Sequence, residues 1–170
     1  IIYIYMYYIF CRILFSKTNQ MTLLSHLDLM RLIERTIRRS CLPVSYSAGF
    51  HPMPRIQIGL ALPLGIEGLG EWMDIDFREI VDANKVLIEL NKNLPEGIKI
   101  LNCEVVQSRK KSLAQLLKAA IWSFDIYTED MLIKDFIKWD KAVQYLQESN
   151  ELIWRDKDKK GRYRERDMRP

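Results

Sequence analysis

The sequence is poor in the residues that mark secreted or metal-binding proteins. It has only three cysteines, Cys11, Cys41 and Cys103, and they are far apart and in no C-x-x-C spacing. A disulfide framework and a zinc or iron–sulfur motif of the usual spacing are therefore excluded. With only two histidines, a metal site is not expected either. This cysteine usage fits a reducing cytoplasm.

Long apolar runs are also absent. Residues 1–10 are rich in Tyr and Ile, but Arg12 follows almost at once, and a membrane-spanning helix needs about 20 apolar residues. The segment has no basic leader and no small-residue cleavage site, so it is not typical of a signal peptide. We therefore expect a cytoplasmic protein without membrane contact. The first residue is Ile1, not Met, which indicates a fragment or a translation begun upstream of the true start.

The sequence has no large excess of positive or negative charge. The 26 Lys and Arg exceed the 22 Asp and Glu by four, which is too little to argue for a nucleic acid from composition alone. Residues 155–170 hold eight basic and four acidic side chains, so this tail carries the whole excess. The apolar content of 48% is that of a globular protein and excludes a disordered or collagenous chain.

Apolar periodicity predicts an order of strand, helix, strand, strand, helix, strand. The elements are a strand over 9–17, a helix capped by Ser25 that runs to Ser40, extended chain within 44–62, a strand over 71–77, a helix that starts at Asp82 and stops before Pro95, and a strand over 98–106. This is the split βαβ, or ferredoxin-like, order, an α+β fold with two helices on one face of an antiparallel sheet.

The same order begins again after a charged linker, residues 109–118. A strand over 121–127, a helix over about 130–149 and a hairpin over 152–168 that turns at Lys160 and Gly161 are predicted. No second helix and last strand follow, so we expect 119–170 to be a truncated second ferredoxin-like unit. The first ferredoxin-like domain then spans 12–108, and residues 1–11 are a leader whose origin the sequence does not show.

The first helix carries the first candidate site. Five apolar residues recur at helical spacing and are expected to face the sheet: Leu23, Leu27, Met30, Ile33 and Ile37. The other side carries four arginines, Arg31, Arg35, Arg38 and Arg39, although a charged helix face is usually only solvated. His26, at the first helical position, is placed to face an anion such as a phosphate. The alternative is a buried histidine bonded to a backbone carbonyl.

The second candidate site is the loop over residues 47–55. Two prolines stiffen it, and Gly49 permits a tight turn. Phe50 is suited to stack on a base, His51 to hydrogen-bond, and Arg55 to hold a phosphate. The alternative is a proline-rich connection with a packed phenylalanine and solvated cations.

Several different motifs follow one another along the chain: RILFSK (12–17), LSHLDLMR (24–31), PVSYSAGFHPMPRI (43–56), ALPLG (61–65), GEWMD (70–74), LPEG (94–97) and DMRP (167–170). Together they resemble the radical SAM-linked protein family. This is a bacterial domain of unknown function, found alone or joined to the C-terminal side of a cobalamin-binding radical SAM protein. The chain departs from the family at Met53, where a histidine is common, so a mechanism that needs this histidine is not expected.

The gene neighbourhood and the domain layout that the resemblance implies favour RNA as the ligand. Genes for ribonuclease G and large-subunit ribosomal proteins are often close to members, and the tandem layout is similar to that of CRISPR repeat-processing endoribonucleases. We therefore expect an RNA-binding accessory module that acts with a radical SAM enzyme on tRNA or rRNA. Its phosphate ligands are Arg31, Arg35, Arg38 and Arg55, and Phe50 stacks on a base. Lacking the three-cysteine motif, the chain is expected to bind no cofactor and to have no catalytic activity of its own.

Two other hypotheses stay open. One is a metal-independent endoribonuclease, with His26 or His51 as general base and Lys17 or Arg55 stabilising the transition state. The other is a protein–protein docking module that binds the radical SAM partner without touching RNA. Salt-dependent RNA binding separates the docking module from the other two, and RNA cleavage separates the nuclease from the accessory module.

Overall fold

The computed structural model describes residues 9–106, 111–123, 133–151, 153–157 and 161–167. The chain divides into two compact units between Ile121 and Trp122. Within the described ranges, none of the helices combines the length and the apolar character that crossing a membrane requires.

The first unit has a four-stranded antiparallel sheet and two long helices. Its strands are β1 (Ile9–Lys17), β2 (Ile56–Ile58), β3 (Gly68–Phe77) and β4 (Ile98–Val106), in the order β2-β3-β1-β4. Helix α1 (His26–Ser40) lies between β1 and β2 in the chain, and helix α2 (Ala83–Asn93) lies between β3 and β4. The predicted order of the six elements is confirmed.

Both long helices begin where capping predicts. The Oγ of Ser25 accepts a hydrogen bond from the N–H of Asp28 at 3.2 Å. The Oδ1 of Asp82 accepts from the N–H groups of Asn84 and Lys85 at 2.7 and 3.0 Å. Because the first turn of a helix leaves its N–H groups unpaired, these side chains stabilise the helix ends.

The core lies between the helices and one face of the sheet. It is formed by the residues Cys11, Ile13, Phe15, Leu29, Ile33, Ile37, Leu42, Val44, Met73, Ile75, Phe77, Val86, Leu90, Ile98, Ile100 and Cys103. The predicted stripe of α1 is wrong at Leu23 and Leu27, which are exposed. Leu23 lies in a 3-10 turn (Asn19–Leu23) that precedes the helix, so the helical period does not extend back to it.

Two boundaries of the sheet differ from prediction. Of the extended chain expected within 44–62, only Ile56–Ile58 forms a strand, while Val44 and Tyr46 each make a single bridge, to Phe77 and Pro54. β3 begins at Gly68, three residues before the predicted start. The prediction leaves Gly68 outside the strand, but its pairing with Lys17 of β1 holds it in the sheet.

A short helix, α3 (Leu113–Leu116), lies in the range predicted as a linker. Ser112 and Gln115 form a capping box at its start, and Leu113 is buried. The N–H of Leu113 donates to the Oε1 of Gln57 at 3.5 Å. Because Gln57 alternates with Ile56 and Ile58, which pack against the core, α3 lies on the sheet face opposite α1 and α2.

A side chain of α2 covers part of the outer edge of β4. The Nδ2 of Asn91 donates to the carbonyl oxygen of Ile100 at 3.0 Å, and its Oδ1 accepts from the N–H of Ile100 at 2.8 Å. β4 is the last strand of the sheet on this side. The amide of Asn91 therefore makes the two hydrogen bonds that a further strand would make with this residue.

The second unit contains helix α4 (Ile133–Glu148) and a hairpin of strands β5 (Ile153–Lys157) and β6 (Tyr163–Asp167). The predicted helix and hairpin are confirmed within these bounds. Gly161, between the strands, has a φ of +78°, which favours glycine. Of the predicted strand over 121–127, residues 121–123 are not in a strand, and the rest lies outside the described residues.

Candidate functional site

The loop over residues 47–55 is braced at its base. The N–H of Ser47 donates to the carbonyl oxygen of Met53 at 2.8 Å, and the N–H of Met53 donates to the Oγ of Ser47 at 3.0 Å. One residue further out on each side, Tyr46 pairs with Pro54. The loop is therefore a short hairpin of defined shape, with residues 48–52 at its tip.

Phe50 lies at this tip and is fully exposed, at 101% of its reference area. Gly49 has a φ of +125°, a backbone conformation that residues with a Cβ rarely adopt. His51 and Pro52 are exposed as well. The ring of Phe50 is not packed against the protein, so both of its faces are available for stacking on a flat partner.

Helix α1 presents its arginines on the side opposite the core, as predicted. Arg31 pairs with Asp28 at 3.2 Å, and Arg38 pairs with Glu34 at 2.7 Å, which raises the pKa of Arg38. Arg35 is exposed and has no ion-pair partner within the described part of the chain. Exposed pairs at these helical spacings are weak in water, so an incoming phosphate is able to compete for the guanidiniums.

Arg38 connects this helix face with the loop. Its guanidinium carbon lies 5.8 Å from the centroid of the Tyr46 ring, within cation–π range. Tyr46 in turn belongs to the base of the hairpin that carries Phe50. We call this region the arginine–loop surface, and it consists of Arg31, Arg35, Arg38, Tyr46 and Phe50.

Arg55, the fourth predicted phosphate ligand, is directed elsewhere. Its carbonyl oxygen accepts a hydrogen bond from the N–H of Asp76 at 3.0 Å, and the next residue, Ile56, packs against the core. Because side chains alternate along an extended chain, Arg55 projects on the sheet face opposite α1. The structure therefore does not bring Arg55 together with the arginines of α1.

Part of the sheet face opposite α1 and α2 is buried and holds carboxylates. Phe10 and Asp74 on this face are 2% and 0% exposed. Arg12 donates to both carboxylate oxygens of Asp74, at 3.0 and 3.1 Å, and its guanidinium lies 5.5 Å from the centroid of Phe10. Asp76 is also buried here. A polyanion that approached this face would meet covered rings and carboxylates.

Lys17, a predicted catalytic candidate, is buried at the end of β1 and only 1% exposed. Its Nζ lies 3.4 Å from the carbonyl oxygens of both Thr22 and Leu24. Burial lowers the pKa of Lys17, and the charge of Glu71 partly offsets this shift. Burial likewise raises the pKa of Glu71, with Lys17 opposing. The lysine stabilises the turn between β1 and α1, where a surface ligand does not reach it.

One histidine begins α1, and the other lies in the loop that follows the helix in the chain. His26 is its first residue, and its Nδ1 is buried without a hydrogen-bond partner among the described groups. His51 lies at the exposed tip of the loop that follows the helix. Lys17 contacts the carbonyl of Leu24, so it lies at the same end as His26. In the ranges that the structure describes, no three His, Cys, Asp or Glu side chains are grouped to hold a metal.

Comparison with protein families gives a match over almost the whole sequence. A family model described as "Uncharacterized protein conserved in bacteria (DUF2344)" matches residues 11–170. The chain belongs to this bacterial family. The DUF2344 match covers both units, from β1 to the end of the sequence. Neither the curated proteins nor the solved structures gave a match.

Two residues of the described DUF2344 site escaped prediction. Tyr46 was interpreted only as part of an extended segment, although an aromatic residue beside a proline-rich loop is a common stacking partner for arginine. Glu71 was predicted only as the first residue of the strand over 71–77, but the antiparallel pairing of β1 with β3 brings it near Lys17. Both contacts join residues that are distant in sequence, so helical or strand periodicity does not indicate them.

Proposed function

We propose that this DUF2344 chain is an RNA-binding accessory module that acts with a cobalamin-binding radical SAM enzyme on tRNA or rRNA. The observation that carries the proposal is the arginine–loop surface. It combines a fully exposed ring, Phe50, on a braced loop with a helix face of three arginines that is joined to the loop through Arg38 and Tyr46. Aromatic rings and guanidiniums on one surface are the groups that proteins use to bind bases and phosphates.

We also propose that the first unit is ferredoxin-like. The strand order β2-β3-β1-β4, with both long helices on one face, is what the split βαβ arrangement produces. The partner is proposed from the resemblance of the motifs between Arg12 and Pro170. On this proposal the partner holds the iron–sulfur cluster and the cobalamin, and this chain supplies RNA contacts in the cytoplasm.

The geometry favours binding over catalysis. Lys17, which the nuclease hypothesis uses to stabilise a transition state, is 1% exposed. Arg55, its alternative, projects on a face that is rich in carboxylates. Most of the exposed groups of the site hold a ligand without reacting, namely Phe50, Arg31, Arg35 and Arg38, and His51 is the candidate base exposed beside them.

The proposal is tested by the salt dependence of RNA binding. A protein that neutralises phosphates of a single strand shows a slope near −0.7 per phosphate in a plot of log affinity against log salt. The double variant Arg35→Ala with Arg38→Ala is therefore expected to flatten the slope by about 1.4. The matched control is Lys92→Ala with Lys99→Ala, which removes two exposed charges from α2 and β4.

The two variants separate the possible results. A flatter slope in the arginine variant with an unchanged slope in the lysine control supports the proposed surface. An unchanged slope in both variants removes α1 from the binding surface. Absence of RNA binding by the unaltered chain at low salt contradicts the proposed function itself.

A further inference from the structure

The exposed ring of Phe50 is suited to contact unpaired bases of RNA. It is fully exposed at the tip of a loop that hydrogen bonds hold at the base. In an A-form duplex each base face is covered by its neighbours, so a protruding ring meets only sugars, phosphates and groove edges. An unpaired base offers a free face, and stacking on an aromatic side chain is how many proteins bind single strands.

The charged part of the arginine–loop surface is short. Arg31 and Arg38 are seven residues apart on α1, so their Cα atoms are separated by about 10 Å along the helix. Proteins that bind duplex RNA by shape span about 16 base pairs across successive grooves. A line of about 10 Å is too short for that footprint and suits a few consecutive phosphates of one strand.

The net charge of this helix face is also small. Asp28 and Glu34 already pair with Arg31 and Arg38, which leaves the charges of Arg35 and Arg39 in excess, and Arg39 already donates to the carbonyl oxygen of Asn93. Attachment to a duplex through phosphates alone is governed by the number of charges neutralised, so it is expected to be weak here. A contact that does not depend on charge, such as base stacking, must supply a large part of the affinity.

The other surface on which a four-stranded unit of this kind stacks bases is buried around Phe10, and its Trp72 is only partly exposed. RNA-recognition sheets present aromatic residues on the face opposite their helices. In this chain Phe10 occupies that face but is 2% exposed, and it lies beside the buried ion pair of Arg12 with Asp74. Within the described residues of the first unit, Phe50 is thus the aromatic ring that is fully exposed and best placed to meet a base.

We infer that the arginine–loop surface selects unpaired nucleotides, with one base stacked on Phe50 and neighbouring phosphates bound by Arg35 and Arg38. The ligand is thus a single-stranded loop or tail, and a continuous duplex is bound weakly. This inference rests on the proposed RNA-binding function and names the substrate class of the same site.

The test compares two RNA probes with the full chain by fluorescence anisotropy. One probe is a hairpin with a randomised eight-nucleotide loop, and the other is a blunt duplex with the same stem sequence. The variants are Phe50→Ala, Phe50→Trp, which keeps an aromatic ring, and the control Ile88→Ala, which truncates another exposed apolar side chain on α2. Circular dichroism of each variant checks that it is folded.

The unaltered chain is expected to bind the hairpin more tightly than the duplex. Phe50→Ala is expected to weaken hairpin binding by about 5- to 100-fold, the usual effect of losing one base–aromatic stack. Duplex binding should not change in this variant. Phe50→Trp and Ile88→Ala should both bind the hairpin like the unaltered chain.

Two results would overturn the inference, and they are distinguishable. If hairpin and duplex bind equally and Phe50→Ala changes neither, RNA binding stands but the selection of unpaired nucleotides is wrong, and Phe50 is left as a contact for a protein partner. If neither probe binds at low salt, the proposed function fails and the inference fails with it.

Discussion

Removal of Arg12 is expected to destabilise the first unit more than removal of its partner Asp74. Arg12 holds both carboxylate oxygens of Asp74, and the side chain of Asp74 is 0% exposed while that of Arg12 is 21% exposed. Arg12→Met leaves a buried carboxylate without this guanidinium, a change that costs about 3–5 kcal/mol in proteins. Because water reaches Arg12 in the native state, we expect the lower end of that range.

Asp74→Leu is expected to lower the stability less than Arg12→Met does. It leaves a guanidinium that is able to turn toward water, so the expected loss is about 1–2 kcal/mol. The double variant Arg12→Met with Asp74→Leu removes both charges and keeps apolar volume between β1 and β3, so it is expected to lie within about 1 kcal/mol of the unaltered chain. The cycle then gives a coupling of about 4 kcal/mol.

The assay is urea unfolding followed through Trp72, which lies in β3 two residues from Asp74. Replacing Trp122, Trp139 and Trp154 by Phe in every variant confines the tryptophan fluorescence to the first unit. A loss below about 1 kcal/mol in Arg12→Met would refute the reasoning. So would a double variant as unstable as Arg12→Met, because the buried carboxylate would then not be the cause.

Three further results are expected. Asp82→Ala removes the cap of α2 and should lower the free energy of unfolding by about 1 kcal/mol in urea titrations, and an unchanged midpoint would contradict the cap. Because burial lowers the pKa of Lys17, the unfolded chain keeps this proton to higher pH; stability should therefore rise as pH increases toward 10.5, and Lys17→Met should lack this rise. A thiol reagent should label only Cys41 in the folded chain and all three cysteines in urea, since Cys11 and Cys103 are buried; rapid labelling of all three in buffer would show that the core opens readily.

Local signals in the sequence predict much of the first unit. Ser25 and Asp82 mark the starts of the two long helices, because a cap and its N–H partners lie within three residues of each other. β1 and β4 follow in the same way from their β-branched residues, to which β1 adds two phenylalanines. The predictions that were wrong concern contacts between residues that are distant in sequence. Gly68 belongs to β3 because Lys17 pairs with it, and no local pattern contains that contact.

In the candidate site too, features set by local sequence could be predicted and features set by distant contacts could not. The separation of the α1 arginines from the core follows from helical period, and their ion pairs follow from acidic residues three or four positions away. The burial of Lys17 and the direction of Arg55 do not follow from sequence, since both depend on which sheet face receives each residue. The junction of Arg38 with Tyr46 likewise needs the tertiary fold.

The amide of Asn91 has a consequence for how this protein meets other copies of itself. A terminal strand with free N–H and C=O groups is a template on which a foreign strand adds, and this is a common start of aggregation. At Ile100 both groups are already bonded to Asn91. A strand that extended the sheet past β4 at Ile100 would first have to break both bonds, so one asparagine on a helix opposes strand addition at this point of the edge.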